Sequence, residues 1–516
     1  AVPFAVVAFD ADDVDVDATD GYVYVGNWQE LTDALNKGAS KIKFTNDIEY
    51  ESDMDSSSGN ESGLVIRSSV EIDGDGYTLS RMTKSGDDWR FVNISGIENG
   101  AVTIKGLTIN FAGGNYSRSI NVSYSQNITL NIFNTKISNG THYPVNITPS
   151  CTNVNLIINE TELNSEDGDI KGYCALNIWG TGHTITITNS TLVGNNIHPN
   201  NEGNYFSTIM INRDSSADIT IIDSDIKTLS VNGNEQRAVY FNTGSDGSLK
   251  ISGDSTVEMD APGHAMVFRN KGIDVDLEGL TLTTTKNENL IYTESDIKFG
   301  SGFETDKLLE VSVCSDVNLI GSPNNSFHGL TVKSYDEGDY DVVIDGINSV
   351  GVGIAVFDAD VVKIQNCNVY GVNEELYQYS HNIFGIRVSE SNNVTISGNV
   401  ISDIETITVG GIKYDGVGIG IYKINESIAI NEGNVVSDTG HNSIWIVDSI
   451  NASVTIEYNE IFNWAIDGEG RAIRIQNVNS TVISDNLFSK DTVSKNLEST
   501  VKVDCNPANK ISVTFN

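Results

Sequence analysis

Short alternating apolar segments recur along the chain, separated by polar and glycine-rich steps. They run "VTI" at 102, "ITLNI" at 128, "VNLII" at 154, "ITI" at 185 and "ITII" at 219, then "LKI" at 249, "VDL" at 275, "VNLI" at 317 and "VVI" at 342. "VVKI" at 361, "VTI" at 394, "IAI" at 428, "VTI" at 454 and "TVI" at 481 complete the series. Most steps are 25–34 residues; the exceptions are a gap of about 42 before Val317 and one of about 20 before Val361. Period-two alternation predicts strands with one buried face. Short strands on so long a beat predict a parallel β-solenoid, in which each rung buries its apolar side only by stacking on the next. An antiparallel sandwich would need hairpin turns every ~8–12 residues.

Several segments lead through a polar step into a second strand, as in "VTISGNVIS" and "VTIEYNEIF", with Asn399, Asn434, Asn459 and Asn486 at equivalent places. An asparagine there turns the chain and can stack its amide on the next rung. Near the front, "NWQELTDALNKG" predicts one short helix. Asn27 caps it with Glu30 three residues on, Gly38 closes it, and Trp28, Leu31, Ala34 and Leu35 form its apolar face. Covering the first rung with that helix protects an open sheet edge.

The stretch 385–488, from "GIRVSESNNVTISGNVISD" to "STVISDNLF", resembles the right-handed parallel β-helix repeats of pectate-lyase-like proteins. The front, with "KIKFTNDIEY" and "GLVIRSSVEIDGDGYTLS" after the helix, resembles that family's entry, and the whole is similar to archaeal adhesin-like, sheath and S-layer-type surface proteins, methanogen ones especially. The fold class this implies is all-β, a right-handed parallel β-helix with a short N-terminal capping helix. The expected organisation is an apolar strand with an acidic tether over 1–20, β-helix over 21–300, an irregular stretch or kink over 301–340, β-helix again over 341–490 and a free C-terminal strand segment over 491–516.

Composition narrows the partners. The chain has 516 residues, 31 basic against 70 acidic, for a net charge of -39. Such a balance argues against nucleic-acid phosphates and anionic membrane surfaces as partners. No run of residues is apolar and long enough for a membrane helix. A chain beginning at Ala1 without Met is expected to be a processed, exported form.

Fourteen Asn-x-Ser/Thr sequons make glycosylation the companion expectation. The candidates are Asn60, Asn93, Asn115, Asn121, Asn127, Asn139, Asn159, Asn189, Asn324, Asn393, Asn425, Asn451 and Asn479, with Asn146 weakened by Pro149. Cys151, Cys174, Cys314, Cys367 and Cys505 form no Cys-x-x-Cys pair, which argues against a zinc site. Their odd number leaves at least one thiol free or shared between chains, with Cys505 the first candidate; buried reduced cysteines are the alternative.

No catalytic constellation stands out. The resemblance implies a lyase motif near "SIWIVDSIN", but Val447 and Asp448 stand where Asp and His belong, and Trp445 reads as a packed aromatic. The hydrolase motifs of related folds are absent: His183, His264 and His441 follow glycines but precede none, and "IRIQ" at 473 has Gln where Lys is wanted. No cofactor is expected beyond calcium as a structural ion, with Asp10, Asp12, Asp13, Asp15 and Asp17 its candidate ligands. Three functions follow. The first is a non-catalytic envelope subunit that self-associates through strand edges, residues 1–9 either adding to a neighbour or folding back in cis. The second is an adhesin gripping envelope glycans, and the third a polysaccharide lyase or hydrolase.

Overall fold

The computed structural model describes residues 20–50, 63–82, 86–114, 116–138, 142–164, 174–195, 207–230, 233–336, 338–374, 382–490, 499–504 and 510–514. It is a right-handed parallel β-helix built of three strands per turn, and it divides into two compact units. One unit comprises residues 1–220 with 224–236, the other 221–223 with 237–516.

In the first unit the helix Trp28–Asn36 forms where expected. The Asn27 side chain accepts from the Glu30 amide at 2.9 Å, and the Glu30 carboxylate accepts from the Gly26 amide at 2.7 Å. Gly38, at φ +75°, ends the helix with its amide on the Leu35 carbonyl. Trp28, Leu31 and Ala34 are buried, and the indole stacks on Phe91 at 6.0 Å.

Strand follows strand in parallel register, so one residue type repeats above itself. Ile42, Ile72, Ile104, Ile132, Ile158 and Ile187 make one column, each 0–2% exposed. A fully buried isoleucine contributes about 1.5–3 kcal/mol, so such a column is a substantial part of the unit's stability.

The second unit carries a matching column from Leu249 through Val275, Ile297, Leu319, Ile344, Ile364, Ile396, Ile430 and Ile456 to Ile483. This register corrects the expected kink over 301–340. The 42-residue gap hides a complete rung whose strand, Ile297–Phe299, is only three residues long. Phe299, Phe303 and Phe327 pack together at 4.7–5.1 Å between ring centres and fill these short turns with aromatic bulk. The C-terminal segment is not free either. Lys510–Val513 pairs in parallel with Ser480–Ile483.

The four asparagines at equivalent places form the expected stack. Asn399 donates to Asn434 at 2.9 Å, Asn434 to Asn459 at 2.8 Å and Asn459 to Asn486 at 2.9 Å. Each of the four side-chain amides also reaches a backbone carbonyl of its turn or a neighbouring one, which satisfies groups that burial would otherwise penalise.

Candidate functional site

One sheet of the second unit has a chemically distinct outer face. Its inward residues form the column Ile354, Ile386, Ile419, Ile444 and Ile473. The residues one position on, Ala355, Arg387, Gly420, Trp445, Arg474 and Lys502, must therefore share the opposite face. A second outward row holds Phe357, Ser389, Tyr422, Val447 and Gln476.

The Arg387 guanidinium lies 5.1, 5.3 and 5.4 Å from the ring centres of Phe357, Phe384 and Tyr422. Gly420 makes room for this, since a Cβ there would stand 2.4 Å from the Phe384 ring. Further along, Tyr422 meets Trp445 edge-on at 6.0 Å, and Arg474 stands 5.5 Å over the indole. The indole N–H donates to Gln476 at 3.0 Å, which fixes its plane. Burial holds the Tyr422 phenol well above its ordinary pKa, so the hydroxyl stays protonated at neutral pH. Neither that hydroxyl nor Arg474 Nε has a hydrogen-bond partner.

At the beginning of the same strands lies a cluster that the sequence did not announce. Asp415 opens one rung, His441 stands in the turn before the next, and Asp467 in the turn before the third. His441 Nε2 faces Asp415 at 3.8 Å and Nδ1 faces Asp467 at 3.8 Å. Lys413, on an antiparallel hairpin that pairs Ile407–Val409 with Ile412–Tyr414, reaches in. Its ammonium is 3.0 Å from Asp467, 3.3 Å from Asp415 and 3.3 Å from Glu469. Burial opposes that charge, but the Asp467 and Asp415 carboxylates outweigh it and raise the pKa.

Comparison with known proteins agrees with the fold. Residues 22–156 match the pectate lyase-like adhesive domain, and residues 319–509 match the right-handed β-helix region. The chain is a pectate-lyase-like β-helix protein. No curated protein sequence matches it. Solved structures show slight likeness only. The catalytic domain of a GH87 α-1,3-glucanase in complex with nigerose is 13% identical over 99% of this chain and 70% of that one, at TM-score 0.23. Bacteriophage CBA120 tailspike protein 3 is 11% identical over 96% and 61%, at 0.18, and a periplasmic alginate epimerase 12% identical over 95% and 84%, at 0.18. Likenesses this slight carry no argument about activity. None of these matches bears on an archaeal source.

The structure of this β-helix protein sorts the expected site residues. Asn93 and Asn121, both 0% exposed, and Asn146, 2% exposed, are not glycan acceptors in the folded chain. They belong to a buried amide ladder: Asn121 donates to Asn93, Asn146 to Asn121, Asn177 to Asn146 and Asn212 to Asn177, at 2.7–3.0 Å. Asn127, Asn189, Asn324, Asn425, Asn451 and Asn479 are exposed, and Asn159 and Asn393 half-buried. Asn60, Asn115 and Asn139 lie outside the described residues, as do Cys505, the apolar opening residues 1–9 and the calcium candidates Asp10, Asp12, Asp13, Asp15 and Asp17.

Cys151, Cys174, Cys314 and Cys367 are all free, so no disulfide joins the described cysteines. Three are buried in the apolar interior, where a small thiol packs as a hydrophobe. Trp445 is half-buried on the outward row, within reach of a ligand as well as of its neighbours. Among the described residues, no helix is long and apolar enough to cross a membrane.

Proposed function

We propose that this protein is an adhesive β-helix of the cell surface or its surroundings that grips an acidic polysaccharide along the row Arg387–Trp445–Arg474. The row itself carries the reading. In a chain with only 31 basic residues against 70 acidic ones, Arg387, Arg474 and Lys502 are brought into one column beside Tyr422 and Trp445. Flat aromatic faces take the C–H side of a sugar ring, and a guanidinium pairs a carboxylate with two parallel hydrogen bonds. Their repeat along successive rungs, about 4.8 Å apart, suits an extended chain rather than a compact ligand. The adhesive-domain match over residues 22–156 supports the same direction.

The test is binding of the full chain to immobilised uronate-containing and neutral polysaccharides, with the soluble fraction assayed for cleavage products. Retention on uronates without cleavage supports the reading. Retention on neutral glycans alone removes the role given to the arginines, and release of shortened or unsaturated products makes the protein an enzyme.

Self-association keeps one observation in its favour. Among the described residues, nothing pairs with the outer edge of Val501–Asp504 or Lys510–Val513. A further rung, in cis or from a second copy, would add there. Sedimentation of the same sample decides between them: concentration-dependent polymers support assembly, a monomer leaves adhesion alone.

A further inference from the structure

We propose that Asp415, His441 and Asp467 form a site for one divalent transition ion, zinc being the best chemical match, which takes the place of the Lys413 ammonium. One donor atom from each residue already lies within 4.8 Å of the other two. Zinc accepts such a mixed set of imidazole nitrogen and carboxylate oxygen at about 2.0–2.2 Å, with solvent completing the shell. Calcium prefers oxygen donors throughout and is disfavoured by the imidazole.

The second observation is His441 itself. It is 9% exposed, and its Nδ1 has no hydrogen-bond partner although it points at Asp467. A buried imidazole set between two carboxylates, with Nε2 toward Asp415 and the unpartnered Nδ1 toward Asp467, has the placement of a ligand. Backbone bonds hold the ring there. The His441 amide donates to the Gly416 carbonyl at 2.8 Å, and its carbonyl accepts from the Ala465 amide at 3.0 Å.

Charge points the same way. Asp415, Asp467 and Glu469 surround a single ammonium, so the pocket keeps negative charge that a dication would neutralise further. Lys413 marks the place for that charge and competes for it. The lysine side chain is itself 44% exposed, so it has solvent to move into.

The experiment titrates the chelator-treated full chain with Zn²⁺ by calorimetry and with Co²⁺ by visible absorption, beside Lys413→Met, Asp467→Asn and His441→Ala. One ion per chain is expected, with Lys413→Met binding about tenfold more tightly or better and Asp467→Asn about 10–100-fold more weakly. The intense cobalt absorption of a low-coordinate site should vanish in His441→Ala. Absence of stoichiometric binding in both wild type and Lys413→Met overturns the proposal, as does an unchanged affinity in a folded His441→Ala. If circular dichroism shows that His441→Ala does not fold, Lys413→Met decides: tighter binding supports the site, unchanged binding refutes it.

Discussion

Replacing Asn434 with alanine tests the amide stack that joins the last turns of the β-helix. Its side-chain nitrogen serves three oxygens, Ile396 O at 2.9 Å, Asn431 O at 2.9 Å and Asn459 Oδ1 at 2.8 Å. Its oxygen accepts from the backbone and side-chain nitrogens of Asn399 at 3.0 and 2.9 Å. Each intact bond is worth about 0.5–1.5 kcal/mol net, but a buried group left unsatisfied costs about 1–3 kcal/mol. Since Asn399 and Asn434 are both 0% exposed, water does not reach the abandoned groups cheaply. The expected loss is on the order of 3–5 kcal/mol, concentrated in the turns on either side. Asn434→Asp should be worse than alanine, because it sets a buried carboxylate against three oxygen acceptors. Amide hydrogen exchange reads this locally, with the Asn399 and Asn459 segments losing protection while the first unit is unchanged. Less than about 1 kcal/mol of lost protection, or an Asp variant as stable as wild type, would refute the argument that the stack is a buried, mutually satisfied network.

Three further outcomes follow from the same structure. Tyr422→Phe removes a buried hydroxyl that has no partner, so it should leave stability unchanged or raise it by about 1 kcal/mol in a denaturant titration; a loss above that contradicts the placement. His264 is held at about 4 by burial and by the charges of Arg237, Arg269 and Lys333. The unfolded chain therefore takes up its proton first, and stability that is full above about pH 6.5 is lost as pH falls toward 4, by roughly 1–3 kcal/mol. His264→Gln should flatten that part of the pH profile, and parallel curves would contradict it. Burial pushes the Cys174 and Cys367 thiols up to about 12, so neither should react with an alkylating reagent at pH 8 until the protein is unfolded. Fast native labelling of either would contradict its burial.

The β-helix could be read from the sequence because its core repeats at the level of residues. The run of alternating isoleucine, leucine and valine triplets returned often enough to announce stacked rungs, and Asn399, Asn434, Asn459 and Asn486 followed five or six residues after the start of their triplets. Where a rung shortened, the signal failed. Ile297–Phe299 offers only two inward residues and was absorbed into an apparent gap. The outward row escaped for a different reason. Arg387, Gly420, Trp445, Arg474 and Lys502 are separated by 33, 25, 29 and 28 residues, so only the register shows that they share a face. The Asp415, His441 and Asp467 cluster was hidden similarly, with Asp415 in a strand just after a hairpin and His441 and Asp467 in the turns before the next two strands. Their equal 26-residue spacing was the available sign. The sequons at Asn93 and Asn121 mislead because the tripeptide records nothing of burial. There the same amide that would carry a glycan belongs to the ladder.

The central claim is that one face of the second unit recognises an acidic glycan. Calorimetric titration of the full chain with a defined oligouronate, beside Arg387→Met and Trp445→Ala, puts that claim to the test. Loss of a charge-assisted pair or of an aromatic platform should weaken binding by about tenfold or more, with added salt reducing the wild-type affinity and having less effect on the arginine variant. Equal affinity in all three proteins, with folding intact, would place recognition elsewhere on the molecule and contradict the account.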